Sequence, residues 1–267
     1  RFGMGAIKGV GQGAVETIIE NRQESNYLSI FDLTQKIDLR LANKKALENL
    51  ALAGGFDSLG ESHRAQFFNP DGDGIIFLEK AIRRGGKYQD SLNSSQINLF
   101  EDDKDLLSDE IKIPECEEWR NLEKLKKEKE VVGIYLSGHP LDDFKREMKL
   151  FSPNSLKLLS ELDAIVNKEL SFCGIVSTVE HKVSRTGKGW AVFQLEDFKD
   201  VFEFKIFGEE YLRFRHFIVT DQFIRIKIKI QQGWVNRESG RLTEPRIKFN
   251  NFESLHDVIT NNAKKLQ

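Results

Sequence analysis

Residues 5–22, GAIKGVGQGAVETIIENR, crowd four glycines around one lysine immediately before a helical pattern. A glycine-apolar-glycine turn lets the backbone reverse tightly, and the N–H groups that open the following helix then face outward, where they can hold an anion such as a phosphate. Lys8, Gly9, Val10, Gly11 and Gly13 are therefore candidate contacts to a duplex backbone, gripped without reading bases. A plain turn between two helices fits the same residues. The second glycine-rich turn, LAGGFDSLG, is degenerate, and we read it as structural.

Two further groups carry chemistry. In SSQINLFEDD, Gln96, Leu99 and Phe100 stand in a polar stretch with no helix or strand to bury them. They suit an extended docking peptide, with Leu99 and Phe100 filling a partner's pocket and Gln96 hydrogen-bonding at its rim; a loop folded back on its own domain is the alternative. Nearer the C-terminus, alternation sets Arg225, Lys227 and Lys229 opposite Ile224, Ile226, Ile228 and Ile230, and VSRTGKGWAVF adds Arg185, Lys188 and Trp190. Basic groups beside an aromatic ring suit single-stranded nucleic acid, whose phosphates need cations and whose bases need a stacking surface. A solvated basic face beside a buried Trp gives the same pattern.

Other chemistries find little support. His63, His139, His181, His216 and His256 never pair with one another or with cysteine at metal-ligand spacing, so no metal site is expected. DGDG at 71–74 fails as a calcium loop because isoleucines stand where oxygen ligands are needed, and His139 before Pro140 suggests a capping or packing role. No serine, cysteine or carboxylate grouping has the look of a catalytic centre, and no cofactor is implied. Cys116 and Cys173 lie far apart, as in a reduced cytoplasmic protein, and no apolar run is long enough to span a membrane. The net charge of -2 hides an acidic middle, with 12 Asp+Glu against 7 Lys+Arg over 96–130, and a mildly basic end, with 15 Lys+Arg against 11 Asp+Glu over 165–250. The chain begins at Arg1 with no signal-peptide pattern, and a fragment of a longer protein is expected.

The elements that must position these residues change character along the chain. Val15, Ile18, Ile19 and Arg22 predict a helix over 13–23; Ser29 with Asp32 and then Asn43 predict caps; GIIFLEKAIRRGG reads as a helix ending in glycine. Helix returns from Glu118 to Gly133. Beyond Leu170 the period becomes two, with five strands and a helix-like EEYLRF between the third and fourth. The expected fold class is α+β multidomain: a tandem helix-hairpin-helix domain over 1–95, a docking peptide and polar linker over 96–117, connecting helices over 118–164, and a five-stranded OB-type barrel over 165–260, an open sandwich being the alternative.

GAIKGVG, NKKALENLALAGGFDSLG, EKEVVGIYLSGHPLDDF and GKGWAVFQLEDF, in this order, resemble the C-terminal portion of the bacterial DNA polymerase III alpha subunit family. The resemblance implies a role in DNA replication, with a tandem helix-hairpin-helix domain on duplex DNA, an OB domain near the single-stranded template, and Gln96, Leu99 and Phe100 as contacts to the sliding clamp. It implies other holoenzyme subunits as partners of the full-length protein. The family's catalytic palm, its N-terminal phosphoesterase-like domain and most of its tau-binding region have no counterpart here, so this fragment is expected not to polymerise DNA, although the parent would be a DNA-directed DNA polymerase. NPDGDG and Trp190 do not map onto the family pattern. The competing reading is a stand-alone helix-hairpin-helix plus OB protein that recognises DNA junctions or damage in repair or recombination.

Overall fold

A computed structural model describes residues 2–59, 62–93, 112–234 and 243–258. It divides into two compact units, Arg1–Gly138 and His139–Gln267. Residues 118–164 therefore split, the helix before Gly138 packing with the first unit and the segment after it with the second.

The first unit holds α1 (Gln12–Glu24), α2 (Ile30–Lys36), α3 (Lys44–Leu52), α4 (Arg64–Phe68), α5 (Phe77–Asn93) and α6 (Asn121–Val132). The expected caps form. Ser29 Oγ accepts from the Asp32 N–H at 3.2 Å while the Asp32 carboxylate accepts from Leu28, and Asn43 Oδ1 accepts from the Ala46 N–H at 3.0 Å, satisfying amides that a helix start leaves without partners. One core joins Ile7, Val10, Ile18, Leu33, Leu47, Leu50, Phe67 and Leu78 with Val131 of α6.

The helix expected to stop at Gly85 and Gly86 runs on to Asn93. A Cβ on Gly85 would lie 2.5 Å from the Thr34 carbonyl oxygen, so the glycine serves a close crossing of α5 over α2 rather than a helix end. Gln89, one turn further, donates to the carbonyls of Thr34, Gln35 and Ile37, closing the C-terminal end of α2. DGDG is a turn in which Asp71 Oδ1 accepts from the amides of Asp73 and Ile75, with Lys80 ion-paired to the same carboxylate.

The second unit is a five-stranded antiparallel sheet in the order β3-β2-β1-β4-β5: β1 (Glu169–Val183), β2 (Gly189–Glu196), β3 (Val201–Phe207), β4 (Phe223–Gln231) and β5 (Arg246–Ser254). α7 (Lys145–Phe151) precedes the sheet and α8 (Gly208–Phe214) joins β3 to β4. β1 is long because it serves two partners, β4 along 169–175 and β2 along 175–183, with a bulge between Val176 and Thr178 where the pairing changes. The sheet curls until its edge strands meet through side chains, Phe204 of β3 and Phe249 of β5 lying 5.8 Å apart. The α8 carboxylate of Glu210, its pKa pushed up by burial, takes a hydrogen bond from the Phe249 backbone. A curled five-stranded sheet with a helix between the third and fourth strands is a partly open small barrel. Ile224, Ile226, Ile228 and Ile230 fill its interior from β4, as alternation requires.

Candidate nucleic-acid interface

In the first unit, the Ile7 carbonyl accepts from the Val10 N–H at 3.1 Å, closing a turn in which Gly9 has φ 75°. Only glycine takes that conformation cheaply. Val10 is the apolar peg, buried in the core, while Lys8, Gly9 and Gly11 are exposed. Gly11 then caps α1 with no side chain on its first amides and no acidic residue in its first turn. Nothing lies within 4 Å of where a Gly11 Cβ would be. The hairpin therefore presents free-standing helix-opening amides, positive by the helix dipole, to open space. Gly13 does something else: its Cβ position lies 3.3 Å from Leu41, and the glycine lets α1 approach that side chain. Lys45 of α3, exposed and 3.8 Å from Glu48, has its Cγ 3.9 Å from the Gly9 Cβ position, a neighbour of the turn that spacing alone does not reveal.

The second glycine turn is occupied from within. Gly54 has φ 82°, and a Cβ there would strike the Arg64 guanidinium at 2.1 Å. That guanidinium donates to both Asp57 oxygens, to the Leu52 carbonyl and to Glu128 of α6. Glu128 in turn accepts from the Leu136 and Ser137 amides and the Ser137 hydroxyl. This turn is an internal ion-pair hub, as its degenerate sequence suggested.

In the second unit, the outward side of β1-β2-β3 carries a row across three strands. Trp190 stacks on Phe207 with ring centroids 5.1 Å apart and 17° between planes, and Lys182 lies 5.4 Å from the indole centroid on the other strand. Phe207 is 53% exposed, which leaves ring surface available for a base to continue the stack. Arg185 and Lys188 are exposed in the β1–β2 hairpin loop beside this row. Phe207 and Lys182 carry no signal in the sequence because each is placed by cross-strand register, Trp190 opposite Phe207 and Lys182 opposite Trp190.

The outward side of β1-β4-β5 differs. Arg225 points away from the isoleucines as expected, yet it is buried: it donates to Ser171 Oγ at 2.9 Å and Glu253 at 3.2 Å, and stacks on Phe151 of α7 at 5.2 Å. Ser152 and Asn154 also hydrogen-bond to the Ser171 carbonyl, so the chain entering the barrel covers this patch. Arg225 is thus withdrawn from any strand-binding track. Lys227 and Lys229 are half-buried, Lys229 lying 3.9 Å from Glu169. Beneath the covered patch, burial pushes the Cys173 thiol up to about 12, leaving it an unreactive thiol.

Gln96, Leu99 and Phe100 lie outside the described residues. Among the described residues, no group of three His, Cys, Asp or Glu could hold a metal ion, and no helix is long and apolar enough to cross a membrane.

A family model described as the helix-hairpin-helix motif matches residues 1–67. Curated relatives match far beyond it. The DNA polymerase III alpha subunit of Mycobacterium tuberculosis (strain ATCC 25618 / H37Rv) is 30% identical over 238 residues, 86% of this chain and 19% of the relative. That of Borreliella burgdorferi is 30% identical over 272 residues, 98% of this chain and 22% of the relative. Its homologues are DNA polymerase III alpha subunits. The alpha subunit of Pseudomonas fluorescens, 28% identical, matches over 100% of this chain and 23% of its own length. The chain spans about a fifth of the length of the curated relatives it matches. The matches to the Borreliella burgdorferi and Pseudomonas fluorescens subunits run through both units of this chain.

Proposed function

We propose that this chain is a DNA-contacting and clamp-contacting part of a replicative DNA polymerase III alpha subunit, working in the cytoplasm within the polymerase holoenzyme. The first unit holds duplex DNA by its backbone through Lys8, Gly9, Val10 and Gly11, with Lys45 beside them. The barrel holds single-stranded DNA on its β1-β2-β3 side, with Trp190 and Phe207 stacking bases and Lys182, Arg185 and Lys188 meeting phosphates. In the polar stretch, Gln96, Leu99 and Phe100 dock on the sliding clamp. In this reading nucleotidyl transfer belongs to other parts of the whole polymerase, and this region supplies grip and tethering.

The observation that carries the reading is the open hairpin: uncapped helix-opening amides beside an exposed lysine, in a chain whose relatives are DNA polymerase III alpha subunits. Gly11→Val tests it cleanly. Gly11 has φ -74° and space around it, so valine fits the fold and obstructs only what approaches from outside. Duplex affinity should fall about tenfold, equally for all sequences because phosphates carry no base information. Equal duplex binding by the variant and the parent across a salt titration would refute the hairpin as the contact.

A further inference from the structure

The hairpin's open side faces solvent, and its closed side is held by two elements that lie far along the chain. Asn49, on α3 and 2% exposed, directs its amide Nδ2 at the Lys8 carbonyl, 41 positions away. The same nitrogen lies 3.2 Å from the Gly9 Cβ position. On the other side of that residue, the Lys8 N–H donates at 2.8 Å to the carbonyl of Val131, in the last turn of α6. Both polar groups of the Lys8 backbone are therefore spoken for by neighbours, one from α3 and one from α6. Those two bonds leave the lysine side chain pointing out and fix the peptide plane that leads into Gly9.

We infer that Asn49 is a positioning residue for the duplex contact, acting through the Lys8 carbonyl, with the C-terminal end of α6 as the opposing clasp; this rests on the hairpin reading above. The physical case is one of orientation. A turn closed by a single Ile7–Val10 hydrogen bond, with a glycine at its third position, has low intrinsic rigidity. Amides that bind an anion do so well only if they already converge on it, because ordering them at the moment of binding costs affinity. Asn49 and Val131 do that ordering in advance. The gripping site is thus a property of the whole first unit and includes a helix beyond the 1–67 region that matches the motif. Asn49 has no counterpart among residues chosen for turn chemistry, since it lies mid-helix, where Asn is a poor choice unless its side chain has a partner.

The test uses the full chain with Asn49→Asp, Asn49→Leu and Gly11→Val. Asn49→Asp keeps the shape and turns an acceptor toward the Lys8 carbonyl; Asn49→Leu keeps the bulk and removes the bond. Each should weaken duplex binding about tenfold, the loss of one oriented buried hydrogen bond. Amide exchange in the DNA-free protein should quicken at Lys8 and Val10, the turn's hydrogen-bonded amides, and not across α2 and α5. Undiminished duplex binding by both Asn49 variants, with Gly11→Val still impaired, would overturn the inference and leave the hairpin reading standing. Undiminished binding by all three would overturn both. Exchange that quickens evenly through the unit, or a unit that no longer folds, would make Asn49 a core residue and equally overturn its positioning role.

Discussion

Arg64 and Glu128 form a 2.6 Å ion pair with the guanidinium 7% and the carboxylate 0% exposed. Burying two charges is unfavourable unless hydrogen bonds replace their water, and here Asp57, Leu52, Leu136 and Ser137 supply them. The pair joins α4 to α6 over 64 positions of chain, and Val131 of the same α6 packs into the first unit's core.

Removing one partner should expose the cost of the other. Glu128→Ala leaves a buried guanidinium with only Asp57 as counter-charge and is expected to destabilise the first unit by about 3 kcal/mol. Urea unfolding followed by a probe in that unit measures it. A change under about 0.5 kcal/mol, the range of an exposed ion pair, would contradict the burial argument.

The same carboxylate gives a pH signature. Burial alone would raise the Glu128 pKa, but the Ser137 hydroxyl and amide, Arg64 and the Leu136 amide outweigh it and hold the group below its ordinary value. An unfolded glutamate takes its proton near about 4.3, the folded one only at lower pH. Its contribution is therefore fully present above about 4.3 and is lost as pH falls through the folded value. The stability gap between the parent and Glu128→Gln should stay constant near neutral pH and narrow under acid, as read from urea midpoints over a pH series.

Two adjacent glycines should respond oppositely. Gly85→Ala sets a methyl 2.5 Å from the Thr34 carbonyl and should cost about 1–3 kcal/mol by overpacking. At Gly86 the nearest atom is Leu39 Cδ1 at 3.8 Å, so Gly86→Ala should stabilise the helix by about 0.5–1 kcal/mol. Thermal unfolding of the two variants decides it, and a shift of the same sign in both would contradict the crossing geometry.

On the barrel, Trp190→Ala and Phe207→Ala should each weaken single-strand binding by about 1–3 kcal/mol if they stack bases. Replacing Lys188 or Arg185 by Gln should instead lower the salt slope of log K by about 0.7 for each phosphate that no longer meets a cation. Fluorescence titration with an oligonucleotide separates the two effects. Unchanged affinity in both aromatic variants would reduce the row to surface packing.

For the proposed clamp contact, Leu99→Ala with Phe100→Ala should abolish clamp binding and leave any DNA binding by the two units unchanged. Burying two large apolar side chains yields roughly 1.5–3 kcal/mol each, part of it offset by ordering, so micromolar affinity is expected for the parent. Calorimetry with purified clamp checks it; binding that survives the double substitution would leave the segment a loop.

The local rules were enough for much of this protein. Caps at Ser29 and Asn43, the five strands and the inward isoleucines of β4 follow from hydrogen-bonding needs within four residues and from side chains alternating across a strand, and a short window of sequence contains both. The glycine-valine-glycine turn was readable for the same reason. Tertiary structure decided which of the flagged groups stay available. Arg225 satisfies the alternation yet is covered by Phe151 and paired with Glu253, and Gly85 reads as a helix end yet marks a helix crossing. Asn49, Phe207 and Glu128 carried no local signal at all. Their roles depend on backbones brought together from distant parts of the chain, and burial, close approach and cross-strand register exist only once those parts meet.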